Sequence, residues 1–352
     1  MKLALNLGYW SGEAATNAAN IELALEAERL GFDSVWAAEA YGSDAATVLS
    51  WIGAKTERIG LGSAIFQIPA RSPAMTSMTA ATIDALSGGR FRLGIGVSGP
   101  QVSEGWHGVR FDAPLARTRE YLEVLRLALG RKVVKHEGLH YPLPLADGPG
   151  KALRLTIHPV REEIPILLAA VGPKNLELAG ELTDGWLAVF LAPDFAGEQI
   201  SHIQTGRDKV GKTMEGFDVV ATMPIVPGRD LEMCAHLVRP YAALYVGGMG
   251  SRDKNFYNNL VVRMGYEKEA EEVQNKYLAR DYDGAMMALP FDFLDQTSLL
   301  GGPERMAEKM QAHAAAGVTT LALALPDSVP NEARIKALRM GAEAFDKAGV
   351  GS

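Results

Sequence analysis

Glycines gather at the end of a short apolar run in the first third of the chain. Residues 91–95 read Phe-Arg-Leu-Gly-Ile, the pattern of a short buried strand. Gly96 and Gly99 follow it, with Val97 and the hydroxyl of Ser98 between them. Glycine lets a backbone bend sharply or come close to a bound molecule, so these four residues are candidates for holding a flat or phosphorylated ligand. A tight turn between a strand and a helix fits the same residues.

A second candidate binding segment follows another buried run. Residues 164–170, IPILLAA, predict a strand that ends at Ala170, and a helix is predicted over residues 174–182. Val171, Gly172 and Pro173 connect the two. Proline suits the first turn of a helix, where exposed N–H groups attract anions. This segment therefore predicts an anion site.

Two side chains are candidates for proton exchange. Glu39 follows the apolar run 35–38, where a carboxylate would be partly desolvated and able to exchange protons. A solvated rim position or a helix cap suits it equally. His107 can act as an acid or a base near neutral pH, and a local hydrogen bond is the alternative. The histidines are scattered and none has the paired spacing of a metal ligand, so we expect no metal.

These segments lie at the ends of predicted strands that alternate with helices. The eight predicted strands cover residues 2–7, 32–38, 58–65, 91–96, 164–170, 185–190, 217–226 and 318–325. Short βαβ units require parallel strands, and eight such units close a (β/α)8 TIM barrel, whose active site lies at the carboxyl ends of the strands. Tyr9, Trp10 and Trp106 are candidate pocket walls there, and aromatic packing at the barrel mouth is the commoner alternative. An open doubly wound sheet is the alternative, but the glycines do not complete its dinucleotide fingerprint.

Three stretches interrupt the alternation of strands and helices. Residues 99–113 are polar and irregular, residues 132–159 suggest a small hairpin, and residues 232–300 are rich in helix formers. We interpret residues 1–352 as a single barrel domain with insertions at these places. The first and third insertions are expected to shape the pocket for a small-molecule substrate.

Charge and composition exclude several classes of protein. The formal net charge of −7 opposes nonspecific attraction to nucleic acid or to an anionic membrane. No stretch approaches ~18 uninterrupted apolar residues, so we expect no membrane span. The single cysteine, Cys234, cannot form an internal disulfide, which favours the reducing cytoplasm.

Six blocks of sequence, taken together, resemble the bacterial luciferase-like superfamily. They are RLGFDSVWAAE at 29–39, RIGLGSAIFQIPARSPAM at 58–75, LSGGRFRLGIGVSG at 86–99, EGWHGVRFDAPLARTREYLEVLRLAL at 104–129, IPILLAAVGPKNLELAGELTDGWL at 164–187 and GGPERMAEKMQAHAAAGVTTLAL at 301–323. They occur in the order of that family and reach from the second predicted strand to the eighth. Within the superfamily, the chain most resembles the actinobacterial oxidoreductases that use the deazaflavin coenzyme F420.

The resemblance carries expectations for fold, cofactor and assembly. Members are insertion-bearing (β/α)8 barrels that bind FMN or F420 at the C-terminal mouth, often as homodimers. It implies that Ala64 and Ile65 form a bulge behind the cofactor ring, frequently through a non-prolyl cis peptide. It also implies that Gly96–Gly99 and the segment Ala170–Pro173 hold the ring and phosphate portions.

One subfamily differs from this chain where it carries its catalytic groups. The F420-dependent sugar-phosphate dehydrogenases have an Asp-His pair after the second strand, where this chain has Glu39 and Ala40. Their acid after the fourth strand falls at about Gly99. The resemblance therefore argues against the same alcohol substrate and leaves the proton donor open.

The sequence predicts a cytoplasmic oxidoreductase that moves a hydride between coenzyme F420 and an unidentified small organic substrate. Glu39 and His107 are the predicted proton-handling residues. A deazaflavin reacts poorly with oxygen, whereas FMN permits oxygen activation, so an FMN-dependent monooxygenase is one alternative. A barrel that binds a flavin without turnover is the other.

Overall fold

The computed structural model of the protein describes residues 1–8, 10, 14–252 and 254–351. The strands are β1 (Lys2–Asn6), β2 (Ser34–Ala37), β3 (Gly60–Ser63), β4 (Phe66–Gln67), β5 (Phe91–Gly96), β6 (Ile166–Ala169), β7 (Gly185–Val189), β8 (Asp218–Pro227), β9 (Leu299–Gly301) and β10 (Thr320–Ala324). The α-helices are α1 (Ala14–Arg29), α2 (Ala45–Gly53), α3 (Pro73–Leu86), α4 (Pro100–Gly105), α5 (Pro114–Leu129), α6 (Pro173–Leu182), α7 (Pro193–Lys209), α8 (Leu231–Ala243), α9 (Phe256–Arg263), α10 (Glu267–Leu278), α11 (Tyr282–Met287), α12 (Phe291–Gln296), α13 (Pro303–Ala315) and α14 (Asn331–Ala348). A 3-10 turn covers Ile68–Ala70, and a π-helix over Leu244–Gly248 continues α8.

Eight of the strands form a closed parallel barrel. Their order is β1, β2, β3, β5, β6, β7, β8 and β10, and β10 pairs with both β8 and β1. Every pairing in this ring is parallel, as βαβ units require. The (β/α)8 TIM barrel is confirmed, and the open doubly wound sheet is excluded because the ring is closed.

Side chains alternate between the inside and the outside of the barrel along each strand. On β1, Leu3 and Leu5 pack outward against the helices, whereas Ala4 points into the barrel. On β2, Trp36 fills the interior, and Gly62 on β3 accommodates it because a Cβ there would overlap the indole ring. Large residues thus bury the outer face, while a smaller cluster of Ala4, Trp36, Leu167, Val220 and Ala322 fills the interior.

The two strands outside the ring extend its carboxyl end. β4 continues the chain after β3 and pairs with β5, and β9 pairs with the end of β8. β9 was not predicted, because three buried residues between a helical segment and Gly302 carry too little pattern. The hairpin predicted over residues 132–159 is reduced to one antiparallel bridge between His136 and Leu143.

The long insertion folds as a helical unit above the barrel mouth. Helices α8 to α12, with the π-helix, lie between β8 and β9 and enclose an apolar core of their own. Phe190, just after β7, belongs to that core and so anchors the helical unit to the barrel. The insertion is thereby held over the strand ends where the predicted site residues lie.

Candidate active site

The carboxyl ends of the barrel strands open into a cavity of about 810 Å³. This volume is at the large end of the range for ligand pockets in proteins. Strand ends form its base, and helices of the long insertion form its roof. The position is the one where TIM barrels place their active sites.

The end of β5 is built around close contacts that require glycine. A Cβ at Gly94 would overlap the carbonyl oxygen of Ser63 on β3, and one at Gly96 would lie 2.6 Å from the Cδ1 of Ile65. The Ser63 hydroxyl accepts from the Gly94 N–H at 2.9 Å and donates to its carbonyl at 2.8 Å. These two glycines therefore allow β3 and β5 to approach each other beneath the cavity.

Ser98 takes a backbone conformation that is uncommon for its residue type. Its φ is +60°, in the left-handed region, and its hydroxyl accepts a hydrogen bond from Gln67 Nε2 at 2.9 Å. Non-glycine residues in this region concentrate at functional sites, where surrounding contacts hold them. The conformation places Ser98 and its neighbours Val97 and Gly99 on the cavity wall.

The chain after β3 also borders the cavity. Ala64 and Ile65 line it, and the peptide bond between them is cis, as the family resemblance implied. Gln67, two residues later, is almost fully buried. This turn directs the backbone across the strand ends.

The start of α6 faces the cavity with its backbone uncovered. Ala170, Val171, Gly172 and Pro173 line the wall, and no side chain in the described chain caps the helix N-terminus. A helix start carries a partial positive charge, although here Pro173 has no N–H and the Asn175 N–H donates to the Gly172 carbonyl at 3.0 Å. The Oδ1 of Asn175, in the first turn, is buried and has no hydrogen-bond partner among the described residues. This wall therefore carries unmet polar groups suited to a ligand.

The cavity-facing glycines show that the wall leaves room for a bound group. A Cβ at Gly172 would meet no atom within 4 Å, and one at Gly99 would meet nothing closer than 3.7 Å. Both residues have ordinary negative φ values, so local backbone geometry does not demand glycine there. Small residues and exposed backbone on both walls fit a flat ring with a phosphorylated tail.

Glu39 lies at the base of the cavity with both carboxylate oxygens engaged. Oε1 accepts from the Gln67 N–H at 3.0 Å and from Arg71 Nε at 3.1 Å. Oε2 accepts from Arg71 Nη2 at 3.0 Å and from the Ala45 N–H at 3.3 Å. Only 9% of the residue is exposed. The two parallel bonds to the guanidinium fix the carboxylate in place.

Arg71 is itself held by two carboxylates. It also pairs with Asp44, the residue that caps α2. Burial alone would lower the pKa of Arg71, but the hydrogen bonds and charges of Glu39 and Asp44 raise it above its ordinary value. The guanidinium remains charged, and the Glu39 to Arg71 pair forms a fixed ionic unit beneath the site.

His107 does not line the cavity. Its Nε2 lies 3.0 Å from Oε1 of Gln67, whose Nε2 donates to Ser98. Gln67 therefore separates His107 from the cavity. A path of hydrogen bonds runs from His107 through the Gln67 amide to Ser98.

Tyrosines of the helical insertion line the roof. Tyr241 and Tyr245 lie on α8 and its π-helical extension, Tyr257 on α9 and Tyr277 on α10. Tyr277 crosses the Gly247 and Gly248 pair, where any Cβ would collide with its ring. π-Helical turns of this kind are frequent at functional sites.

Most of the predicted site residues line the cavity. The residues predicted to bind the cofactor and Glu39 all line this cavity: Ala64, Ile65, Gly96, Val97, Ser98, Gly99, Ala170, Val171, Gly172 and Pro173. Tyr9 lies outside the described residues. Trp10 and Trp106 are not among the lining residues, and Trp106 is 65% exposed, so the expectation that these two tryptophans wall the pocket is wrong.

Sequence reasoning missed Arg71 and the roof tyrosines. Arg71 and Gln67 stand in the resembling block 58–75, but nothing in their spacing points to Glu39. Tyr241 and Tyr245 are four residues apart, which places them on one helix face without saying what that face covers. Within the described ranges, no three His, Cys, Asp or Glu side chains are arranged to hold a metal ion. No described helix is long and apolar enough to cross a membrane.

Known proteins are similar to this chain over most of its length. The sequence profile of the luciferase-like monooxygenases matches residues 5–320. A Mycobacterium tuberculosis protein, whose name assigns it to the coenzyme F420-dependent oxidoreductases, is 43% identical over 328 residues, 91% of this chain and 94% of its own. The 5,10-methylenetetrahydromethanopterin reductase of Archaeoglobus fulgidus is 29% identical over 85% of this chain and 87% of its own.

The fold has solved counterparts. The coenzyme F420-dependent tetrahydromethanopterin reductase of Methanopyrus kandleri superposes with a TM-score of 0.79 over 97% of each chain, at 23% sequence identity. At this identity the superposition establishes a common fold.

Proposed function

The chain belongs to the luciferase-like monooxygenase family, and from that membership we propose that it is an oxidoreductase dependent on coenzyme F420. Its substrate is a small organic molecule that has not been identified. The 43% identity to a relative named for F420 supports this cofactor over FMN, because the match covers more than nine tenths of both chains. The cavity at the barrel mouth carries the proposal, since the glycine-rich strand end and the α6 N-terminus meet there.

The walls that would hold the cofactor are those made of backbone and small residues. Gly96–Gly99 and Ala64–Ile65 would hold the ring, and Ala170–Pro173 would hold the phosphorylated tail. The uncapped N-terminus of α6 supports the second assignment, because its positive end attracts phosphate. When bound, F420 supplies or accepts a hydride at a ring carbon, so the protein needs no nucleophile of its own.

Glu39 acts as a fixed negative charge at the base of the site. Gln67, Arg71 and Ala45 all donate to its two oxygens, and these four hydrogen bonds hold the carboxylate in place. It orients Arg71 and the Gln67 backbone. The proton-handling role of Glu39 stays a prediction.

His107 acts as a positioning residue through Gln67. With Gln67 Nε2 donating to Ser98, the amide oxygen faces His107 Nε2 and accepts from it. The imidazole therefore fixes the orientation of the amide, and the amide fixes the Ser98 hydroxyl at the cavity wall. A proton would have to pass an amide group to travel from His107 to the cavity.

The roof restricts water at the reacting centre. Arg263 on α9 donates from Nη2 to the Val171 carbonyl at 2.9 Å, which fastens the helical insertion to the predicted anion loop. The ring centroids of Phe256 and Phe111 lie 6.1 Å apart and join the insertion to the 99–113 segment. A roof that covers part of the cavity limits the water that reaches the strand ends.

The assembly we propose is a cytoplasmic homodimer. Trp51 on α2 and Met75, Met78 and Leu86 on the neighbouring α3 are large apolar side chains on the outer surface, and Leu86 is 79% exposed. Positions 75, 78 and 86 share one face of α3, which supports a helix-to-helix contact between two copies. The single buried thiol, Cys234, supports a reducing compartment.

Identification of the retained cofactor tests the proposal. The protein would be produced in a host that makes both FMN and F420, purified without denaturation, and its bound small molecule identified by absorbance and mass spectrometry. We expect the absorbance and the mass of a deazaflavin that carries a polyglutamyl or phosphorylated tail. Retention of FMN would support the monooxygenase alternative and overturn the proposal.

A further inference from the structure

The roof of the cavity has a chemistry different from that of the strand ends. Tyr241, Tyr245 and Tyr257 form a continuous aromatic surface, with ring centroids 4.7 Å apart for the first pair and 4.8 Å for the second. Each of the three lines the cavity. None belongs to the proposed cofactor-binding set, so this surface is available to a second molecule.

Packing beneath them holds Tyr241 and Tyr245, and Tyr257 packs edge-on against Tyr245. The centroid of Phe190, which follows β7, lies 5.6 Å from that of Tyr241 and 5.8 Å from that of Tyr245. Phe190 is in turn buried against Phe293 of α12. A rigid aromatic wall of this kind recognises a flat or bulky apolar body at low entropic cost.

The hydroxyl groups on this wall remain protonated. Burial raises the pKa of Tyr257 to about 12 and raises those of Tyr241 and Tyr245 as well. The hydroxyls of Tyr241 and Tyr245 are hydrogen-bonded to each other. The Tyr257 hydroxyl has no hydrogen bond to the part of the chain that the structure describes, so it can donate to a ligand oxygen.

The walls of the cavity that the structure describes offer no unpaired charge to a substrate. Among the described lining residues, only Glu39 and Lys174 are charged. Glu39 is paired with Arg71, and Lys174 lies at the edge, 75% exposed and 2.9 Å from Glu177. A substrate phosphate or carboxylate against the tyrosine wall would lose its hydration without gaining an ionic partner.

We propose that the substrate is an uncharged, largely apolar carbonyl compound that lies against Tyr241, Tyr245 and Tyr257, with the Tyr257 hydroxyl donating to its carbonyl oxygen. This inference rests on the proposed function, because it names the substrate class of the same site. It excludes phosphorylated sugars and organic acids of similar size. Tyr257 is accordingly a specificity-determining residue.

Binding of two nearly isosteric probes tests the charge preference. 2-Acetylnaphthalene carries an uncharged carbonyl, whereas 2-naphthoate presents a carboxylate on the same ring system. Isothermal titration of each probe into the protein, with and without F420, should give at least about 10-fold tighter binding of the ketone. Equal or tighter binding of 2-naphthoate, or no measurable ketone binding to either form, overturns the proposal.

The Tyr257→Phe variant tests the hydrogen bond. It should weaken 2-acetylnaphthalene binding about 3- to 10-fold and leave binding of 2-methylnaphthalene, which lacks the oxygen, unchanged. Unchanged ketone binding would contradict the assignment of Tyr257. The Leu115→Lys variant, at a partly exposed cavity-lining position on α5, should instead strengthen 2-naphthoate binding several-fold. No gain for 2-naphthoate would mean that its weaker binding is not caused by a missing cation.

Failure of this inference is distinguishable from failure of the proposed function. The ketone preference and the Tyr257 effect are measured on cofactor-free protein as well, so they do not depend on F420 binding. A protein that binds F420 but prefers 2-naphthoate keeps the proposed function and loses the substrate class. A protein that prefers the ketone but binds no F420 keeps the apolar subsite and loses the cofactor.

Discussion

Glu39 illustrates how neighbouring residues decide what a carboxylate can do. The sequence places it after an apolar strand, which correctly predicts burial and a position on the cavity wall. The sequence does not reveal that Arg71, thirty-two positions away, forms two parallel hydrogen bonds to it. A buried carboxylate without that partner would be costly to ionise, and with it the charge is fixed.

A double-mutant cycle tests this ion pair. Removing one partner leaves the other buried and uncompensated, so Glu39→Gln and Arg71→Gln should each lower the free energy of unfolding by about 3 kcal/mol. The double variant should lose clearly less than the sum, because neither charge is then left alone. Urea unfolding at pH 7 measures the unfolding free energy of the wild-type protein, of both single variants and of the double variant.

Additive losses would contradict the direct pairing of Glu39 with Arg71. Arg71→Gln combined with Asp44→Asn is the matched comparison, since Asp44 is half-exposed and also contacts Arg71. We expect a smaller coupling for that pair, because solvent screens the exposed carboxylate.

Strand β5 shows why the spacing of glycines predicts both the bounds of a strand and the residues at its end. Its bounds, Phe91–Gly96, coincide with the predicted strand, because an apolar alternation between two glycine-rich turns is an unambiguous pattern. Gly94 is required by the contact with Ser63, whereas Gly172 faces open space. The same residue type thus serves packing at one position and leaves room for a ligand at the other.

Gly94→Ala should destabilise the fold severely. The added Cβ would overlap the Ser63 carbonyl oxygen and lie 2.6 Å from Leu187 Cδ1, and a backbone atom cannot move aside as a side chain can. We expect a loss of about 3 kcal/mol or more in unfolding free energy. Gly172→Ala is the control, with an expected change of at most about 0.5 kcal/mol, since its Cβ meets nothing. Equal stability of the two variants in urea would show that β3 and β5 do not pack as described.

The outer faces of α2 and α3 are the elements with an unexplained apolar surface. If they form the proposed homodimer contact, Met78→Glu should convert the protein to a monomer, because a carboxylate at the interface would lose its hydration without a partner. Size-exclusion chromatography with light scattering measures the mass. Leu139→Glu, at an exposed position outside these helices, should leave the mass unchanged. A wild-type monomer at all concentrations, or a dimeric Met78→Glu variant, would refute this interface.

Sequence patterns were reliable for the barrel and weak for the insertion. The eight ring strands were predicted because each is a buried run bounded by glycine, proline or a helix cap. The roof could not be predicted, since the apolar faces of α8 to α12 say only that the helices are buried on one side. What they cover depends on contacts between distant segments, such as Arg263 with the Val171 carbonyl.

The first and last helices, α1 and α14, meet where the barrel closes. Glu26 on α1 accepts hydrogen bonds from Arg29 on the same helix and from Arg339 on α14. The hydrogen bond from Arg29, opposed by burial and assisted by Arg339, lowers the pKa of Glu26 from its ordinary value of 4.5 to about 2. A carboxylate with a depressed folded-state pKa stabilises the fold above its unfolded pKa.

The pH dependence of stability tests this contact. Wild-type protein should exceed Glu26→Gln in unfolding free energy by roughly 1 kcal/mol at neutral pH. That difference should persist above pH 4.5 and shrink as the pH falls through about 2, below which Glu26 is protonated in both states. Glu271→Gln, an exposed change on α10, serves as the control. A difference that is constant with pH would contradict the role of the Glu26 charge.

A coenzyme titration tests most directly whether the cavity binds F420. F420 and FMN would each be titrated into wild-type protein and into Gly172→Ala, with binding followed by fluorescence. Wild-type protein should bind F420 in the micromolar range and FMN at least about 10-fold more weakly. In Gly172→Ala the affinity for F420 should fall by about 10-fold while stability is retained, because the new methyl group occupies the space left for the ligand. Tighter binding of FMN, binding of neither coenzyme, or an unchanged F420 affinity in Gly172→Ala would contradict the central claim that this barrel mouth is an F420 site.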